Sequence, residues 1–232
     1  KLRKSGIWAT QKPSICFSKP AAAELLAELM VETITSLQPC GNELNIWLTE
    51  EGVPCFCDGC RGQNTYVLET RLIANAYHMV KKQYPQFKLR ILLTQGSYPV
   101  NDQVLAAVPP DMGVTYYSGT HTYDSSQQPM IYRLLETYAR EGFLGVYPQV
   151  DNSWRTVFPF TGAHFIRARM REFASKRLQS VTGYATPSNN FCAFNVTGLA
   201  EWGWNAEGRD EEQFARAWAV RQGIKNVRGF AA

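Results

Sequence analysis

The sequence predicts an α/β fold in which parallel strands alternate with helices, arranged as a (β/α)8 TIM-type barrel. Short apolar segments alternate with longer segments of helical periodicity, which is typical of a parallel sheet with helical crossovers. Polar and aromatic residues follow each predicted strand, where a (β/α) barrel builds its site. An open doubly wound sheet would place ligands at the same strand ends, but the glycine fingerprint of a dinucleotide fold is missing from the sequence.

The helices are predicted from apolar spacing and from residues that start or stop a helix. Leucine, methionine and isoleucine side chains recur at helical spacing after Pro20, and Gly41 is a stop signal. Pro85 closes the next helix, and Asp210 is suited to cap the last one. The predicted helices are 21–37, 65–84, 129–141, 162–177 and 210–222.

The strands are predicted from the short apolar runs between these helices. They are 44–48, 88–94, 113–117, 142–147 and 181–184. The polar and aromatic residues that follow them lie in 49–51, 94–95, 118–124, 149–154 and 186–190.

Composition narrows the class of protein. We expect the 232 residues to form a single domain, residues 1–232, and to be part of a longer parent chain. The net charge of +4 is dispersed and no nucleic-acid-binding motif is present, so nucleic acid is not an expected partner. No apolar run reaches the length of a membrane span. The chain starts at Lys1 rather than at Met, so export of the parent to the periplasm or the exterior stays open, as does the oligomeric state.

Three of the six cysteines lie within six residues. Cys55, Cys57 and Cys60 are too close in sequence to pair with one another as unstrained disulfides, so they are interpreted as metal ligands or reduced thiols. Tetrahedral zinc would need a fourth ligand, from Cys16 or Cys40. Such a zinc would be structural and would fix the long loop after the strand. The alternatives are one disulfide, for example between Cys40 and a member of this group, or cysteines that are simply reduced.

Three stretches together resemble a sugar-processing family. Residues 44–52, followed by Cys-x-Cys-x-x-Cys, resemble a bacterial barrel domain of uncharacterised function that is related to family 20 hexosaminidases and family 67 α-glucuronidases. Residues 14–20 resemble the stretch before the fourth helix–strand step of such barrels, and 201–205 with 217–218 resemble their closing unit. The resemblance implies that the chain supplies about the last five β/α units of the barrel, so that either the parent chain is longer or the barrel is shortened and closes in another way. It also implies that the partner is a glycan or oligosaccharide.

The resemblance also implies catalytic residues. An Asp-Glu pair follows the fourth strand of family 20 enzymes, so Glu50 would orient the substrate and Glu51 would be the general acid, although the first position here is Glu. Adjacent residues on an extended chain point to opposite sides, so only one of Glu50 and Glu51 would face the pocket. The second carboxylate would be Glu50, Asp151 or Asp124. In the alternatives these carboxylates do no chemistry, and the domain is a non-catalytic carbohydrate-binding module or a zinc-stapled scaffold.

Aromatic rings and amides after the strands are candidates for substrate binding. Sugar rings stack on aromatic side chains through their apolar faces, and His121 is suited to bind a hydroxyl or a carboxylate. The expected substrate-binding residues are Trp47, Gln95, Tyr117, His121, Asp124, Trp154, Tyr184, Asn189 and Trp204.

Overall fold

The computed structural model describes residues 15–36, 42–52, 54–117, 129–150, 161–185 and 189–232, the last range without the side chains of 189–191. The chain divides into two compact units, Lys1–Tyr117 (unit 1) and Ser118–Ala232 (unit 2). Each unit alternates strands with helices. None of the helices in the described ranges has the length and apolar character needed to cross a membrane.

Unit 1 is built on three parallel strands that neighbour one another in chain order. The strands are β1 (Glu43–Trp47), β2 (Lys88–Leu93) and β3 (Gly113–Tyr116). The helices are α1 (Pro20–Ser36), α2 (Thr65–Gln83) and α3 (Asn101–Ala107), and a 3-10 helix, Gln95–Val100, directly precedes α3.

The register of unit 1 brings the carboxyl ends of β1 and β2 side by side. Trp47, the last residue of β1, pairs with Leu92 of β2, and Leu48 N donates to Leu92 O at 3.1 Å. Alternate residues of β2, Leu89, Ile91 and Leu93, are almost fully buried. The residues that leave these two strands therefore start from one edge of a sheet with a well-packed apolar face.

Helix α2 has a complete N-cap, and the sequence predicts its bounds within one residue. The side chain of Asn64 accepts hydrogen bonds from Tyr66 N at 2.9 Å and Val67 N at 3.4 Å. The helix ends at Gln83, before Pro85, which cannot donate to a helical carbonyl. Its first two turns lie against the segment that leaves β1, where Glu69 and Tyr66 bind the backbone of Thr49 and Glu50.

Unit 2 contains two short parallel strands and five helices among its described residues. Gly145 of β4 (Leu144–Val146) pairs with Ser180 of β5 (Ser180–Val181). Beyond these strands, Gln149 forms an isolated parallel bridge with Tyr184. The helices are α4 (Arg133–Glu141), α5 (Ala163–Ser175), α6 (Asn189–Trp204), α7 (Glu211–Arg221) and α8 (Val227–Ala231).

The cap that the sequence predicts for α7 is confirmed. Asp210 accepts a hydrogen bond from Gln213 N at 2.7 Å, and the Gln213 side chain accepts one from Asp210 N at 3.1 Å. This reciprocal pair is a capping box, which satisfies two amide groups at the start of the helix.

The closing aromatic segment, which contains Trp202 and Trp204, is helical, so the expectation that Trp204 follows a strand is wrong. Both belong to α6. Trp202 is buried, its ring centroid lies 4.8 Å from that of Phe214, and its Nε1 donates to Arg209 O at 2.9 Å. Trp204 ends the helix and is 94% exposed. Glycine is a weak helix former, but packing explains its presence at position 198 of this helix. A Cβ there would lie 2.9 Å from the Trp202 ring.

Helix α6 also binds the backbone of unit 2 at two positions, Val150 and Gly162, through one side chain. The buried Asn195 donates from Nδ2 to Val150 O at 2.8 Å and accepts from Gly162 N at 2.9 Å. One amide thus holds both ends of the segment between residues 150 and 162. The sequon Asn195-Val196-Thr197 consequently has its asparagine inside the folded unit.

We expect Asn195→Ala to destabilise the protein by about 2–4 kcal/mol, because it leaves a buried carbonyl and a buried amide without a partner. Thr197→Ala in the same helix is the control, since the Thr197 hydroxyl bonds to the Ala193 carbonyl on an exposed face. Urea unfolding followed by circular dichroism measures both. Equal midpoints for the two variants would contradict the assignment of Asn195 as the residue that stabilises the backbone at Val150 and Gly162.

Candidate functional site

The site in unit 1 begins at Thr49, two residues after β1. Thr49 N lies 3.1 and 3.2 Å from the two carboxylate oxygens of Glu69, and Thr49 Oγ1 donates to Oε2 of the same residue at 3.0 Å. The fully buried Thr94, which follows β2, donates from its hydroxyl to Thr49 O at 3.2 Å. Both backbone polar groups of Thr49 are therefore bound, and the point where the chain leaves β1 is fixed.

Glu50 is held by its backbone rather than by its side chain. Tyr66 of α2 donates its hydroxyl to Glu50 O at 3.2 Å. Gly96, in the 3-10 helix, lies so close to this pair that a Cβ there would overlap both the Glu50 carbonyl and the Tyr66 hydroxyl. Glycine at position 96 is thus required by close approach of the backbone.

Glu50 and Glu51 both have exposed side chains on this fixed backbone. The sequence predicts a carboxylate pair directly after the strand, and the structure places it there. The pair follows directly after the anchored Thr49, and Glu51 lies four residues before Cys55.

An aromatic pair lies in the same unit, at the ends of β1 and β3. The Trp47 and Tyr117 rings are stacked, with centroids 5.7 Å apart and an interplanar angle of 28°. Trp47 is 40% exposed and Tyr117 is buried, and the Tyr98 hydroxyl donates to the Tyr117 carbonyl. Trp47 therefore presents part of an aromatic ring to solvent on a rigid support.

The remaining predicted residues divide between the two units. Gln95 is exposed at the start of the 3-10 helix after β2. Tyr184 belongs to unit 2, where its ring meets that of Tyr147 edge-on with centroids 5.6 Å apart. Trp204 belongs to unit 2 as well and lines a groove along β5. His121, Asp124, Asp151, Trp154, Cys40 and the side chain of Asn189 lie outside the described residues.

Glu69 is a functional candidate that the sequence reasoning missed. It is 6% exposed, and burial raises the pKa of its carboxyl to about 7, although the hydrogen bonds from Thr49 favour the charged form. A signal for it exists in the sequence. Within α2 it stands at helical spacing from the buried residues Tyr66, Ile73 and Tyr77, and a glutamate on an apolar stripe requires a partner.

The four cysteines that the sequence groups together do converge. Cys16 Sγ lies 3.6 Å from Cys55 Sγ, 3.7 Å from Cys57 Sγ and 3.6 Å from Cys60 Sγ, and all four sulfur atoms lie within 4.8 Å of one another. None of the four forms a disulfide. Cys57 O accepts hydrogen bonds from Cys60 N and Arg61 N, both at 2.9 Å, so Cys57–Cys60 forms a tight turn. The sulfur atoms of Cys57 and Cys60 both lie next to that of Cys16.

The thiols of the cluster differ in acidity. A hydrogen bond from the Ser18 hydroxyl, followed by those from the neighbouring thiols, lowers the pKa of Cys57 to about 6. Burial raises the pKa of Cys60 to about 12. Four thiols this close cannot all ionise without a cation among them, because their like charges repel.

The sulfur spacing fits one tetrahedral metal ion. Zinc–sulfur bonds are about 2.3 Å long, so the edges of a zinc–thiolate tetrahedron are about 3.8 Å. The separations of Cys16 from its three partners, 3.6 to 3.7 Å, are close to that edge. The cluster can therefore hold a metal ion, as the sequence predicts for these four residues.

Comparison with solved structures finds chitinase catalytic domains. The catalytic domain of a hyperthermophilic chitinase from Pyrococcus furiosus matches with a TM-score of 0.50 and 13% identity, over 87% of this chain and 73% of that one. Catalytic-site mutants of active domain 2 of a thermostable chitinase from the same organism, complexed with chito-oligosaccharides, match with a TM-score of 0.50 and 13% identity, over 84% and 72%.

This likeness shows the fold. The chain is α/β and TIM-barrel-like, so the fold class that the sequence predicts is confirmed. No protein-family model matches the sequence, and no curated protein does.

We expect the stability of the protein to fall as pH rises from about 4.5 to about 7. The folded state raises the pKa of Glu69 from 4.5 to about 7, so between these values it binds more protons than the unfolded state. The raised pKa contributes roughly 3 kcal/mol of stability, which is fully present below the lower pKa and is lost as pH rises through this window.

Glu69→Gln should remove this pH dependence, whereas Glu28→Gln on the exposed side of α1 should retain it. Urea unfolding at several pH values measures the slope for each variant. An unchanged slope in Glu69→Gln would mean that another group titrates.

Proposed function

We propose that this chain is a glycoside hydrolase-like barrel domain that acts on a glycan, with Glu51 as the general acid. The observation that supports this is the position of Glu50 and Glu51. They are exposed on a fixed backbone at the carboxyl end of a parallel strand, where barrels of this type carry their sites. The single barrel-type domain predicted for residues 1–232 is part of the proposal.

In this mechanism Glu51 protonates the leaving oxygen of the glycosidic bond, and a second carboxylate stabilises or attacks the anomeric carbon. Glu50 or Asp151 takes that second role, with Asp124 as the further candidate. Trp47 supplies an exposed ring on which the apolar face of a sugar stacks. Glu69 is not the acid, because it is buried and both of its oxygens face the Thr49 donors.

Chito-oligosaccharides are the first substrates to test, since one chitinase neighbour is complexed with them. The sequence resemblance adds N-acetylhexosaminides and glucuronides as the next two classes. Relation to family 20 and family 67 enzymes and a bacterial origin stay predictions. The remaining substrate-binding candidates stay predictions as well: Gln95, Tyr117, His121, Trp154, Tyr184, Asn189 and Trp204.

A non-catalytic carbohydrate-binding role is the second candidate, and the exposure of both carboxylates favours it. A general acid that works near neutral pH usually has its pKa raised by a buried, apolar setting. Glu50 and Glu51 are both exposed to solvent. The proposed hydrolase needs the bound substrate itself to supply that setting by excluding water.

We also propose that the four cysteines bind a structural zinc ion. The ion would join the segment before α1, through Cys16, to the loop after β1, through Cys55, Cys57 and Cys60. Four protein ligands close the coordination sphere, which is typical of structural rather than catalytic zinc. The loop that carries Glu50 and Glu51 would then be anchored by Thr49 on one side and by the metal on the other.

Glu51→Gln is expected to lower the rate of glycan hydrolysis by about 10²–10⁴-fold, because the amide cannot donate the proton. Initial rates on chito-oligosaccharides, N-acetylhexosaminides and glucuronides measure the effect, with exposed Glu28→Gln as the control. Glycan binding without turnover by the unmodified protein would favour the binding module. Turnover that Glu51→Gln leaves unchanged would reject Glu51 as the acid.

Protein purified under reducing conditions without chelators is expected to contain zinc in equimolar amount. Cys57→Ser should lose most of it, since serine is a poor zinc ligand, whereas Cys192→Ala, outside the cluster, should retain it. Elemental analysis by mass spectrometry measures the metal. Metal-free unmodified protein that binds none on titration would reject the proposal.

A further inference from the structure

We propose that Ser18 is a positioning residue of the cysteine metal centre, where its hydroxyl donates a hydrogen bond to the thiolate of Cys16 or of Cys57, one at a time. This inference rests on the metal proposed for the four-cysteine cluster. It adds a fifth residue, which is not itself a ligand. This residue would stabilise the negative charge on the Cys16 and Cys57 sulfur atoms and keep them in position.

The geometry of Ser18 supports this role. Its Oγ lies 3.3 Å from Cys16 Sγ and 3.5 Å from Cys57 Sγ, which are hydrogen-bond distances for a sulfur acceptor. Cys16 and Cys57 come from different parts of the chain and lie 3.7 Å apart at the sulfur atoms. One hydroxyl thus bridges the two segments that the metal would join.

The direction of the hydrogen bond follows from the chemistry of a metal-bound thiolate. A ligating cysteine is deprotonated, so its sulfur can only accept. The Ser18 hydroxyl can donate its one proton to either sulfur by rotating about its C–O bond. In a metal-loaded centre Ser18 therefore acts as the donor to one of the two sulfur atoms at a time.

The charge of the centre explains why a donor is useful there. A divalent ion with four thiolates carries two net negative charges. Cys16 and Cys60 are buried, so water reaches them poorly. The neighbouring Arg61 forms an ion pair with Asp58 at 3.5 Å, and both side chains are largely exposed. A hydroxyl at 3.3 Å from the buried Cys16 sulfur is well placed to stabilise this charge.

The packing around Ser18 leaves its hydroxyl close to the cysteine turn. A Cβ at Gly59 would lie 2.7 Å from Ser18 Oγ, so the turn can approach Ser18 this closely only because residue 59 is glycine. The spacing Cys55-x-Cys57-x-Gly59-Cys60 therefore has a reason beyond ligand geometry. It leaves room for a side chain from the segment before α1.

The test is metal affinity of the whole chain, with Ser18→Ala compared with the unmodified protein and with Ser36→Ala, an exposed serine at the end of α1. Zinc affinity is measured by competition with a chromophoric chelator. Co²⁺ loading gives an independent spectroscopic measure through the sulfur-to-cobalt charge-transfer bands. Circular dichroism of the zinc-loaded proteins checks the fold.

Ser18→Ala is expected to weaken zinc binding by roughly 10- to 100-fold, the usual range for an outer hydrogen-bond partner, and to shift the charge-transfer bands. Ser36→Ala should change neither. If Ser18→Ala binds zinc as tightly as the unmodified protein and leaves the cobalt spectrum unchanged, the role of Ser18 is wrong while the metal centre stands. If the unmodified protein binds neither metal, the metal centre itself is wrong.

Discussion

The hydrogen bonds between Glu69 and Thr49 are the interaction on which the candidate site depends. They fix the backbone where β1 ends, and every residue of the loop that follows starts from that point. Thr94 and Tyr66 then bind the carbonyls of Thr49 and Glu50. The amide and carbonyl of Thr49 and the carbonyl of Glu50 are thereby bound by side chains of other elements, so exposure of the Glu50 and Glu51 side chains does not imply a loose backbone.

The cysteine cluster acts on the other end of the same loop. Only residues 52–54 separate Glu51 from Cys55, so a metal held by the four thiols would leave the loop little freedom. The two anchors differ in chemistry, since one is a buried carboxyl and the other a set of thiols. Both connect the loop after β1 to a helix or to a segment next to a helix. Glu69 belongs to α2, and Cys16 lies just before α1.

The sequence predicts much of this arrangement because the signals are local. Helix α2 is bracketed by Asn64 and by Pro85, and α7 carries a capping box, so their bounds can be predicted from a few residues. The grouping of Cys55, Cys57 and Cys60 follows from their spacing, and ligand count predicts a fourth member from Cys16 or Cys40, of which the structure places Cys16 in the cluster. Helix α6 escapes prediction, since its glycines at 198 and 203 weaken the pattern, and packing between Trp202 and Phe214 compensates for the first.

Glu69 shows why part of a site stays hidden in a sequence. Its role depends on a partner twenty residues away in the chain, and only the fold brings the two together. Thr49 presents two donors, its amide and its hydroxyl, to the same side chain. A glutamine would offer one oxygen to them and would turn an NH₂ group toward the other donor. A carboxylate satisfies both, but its burial raises the pKa to about 7 and so costs stability at higher pH. Glu69 thus lowers the stability of the fold at higher pH, yet it fits the two donors at the end of β1. Buried residues that lower stability in this way are typical of functional sites rather than of the core.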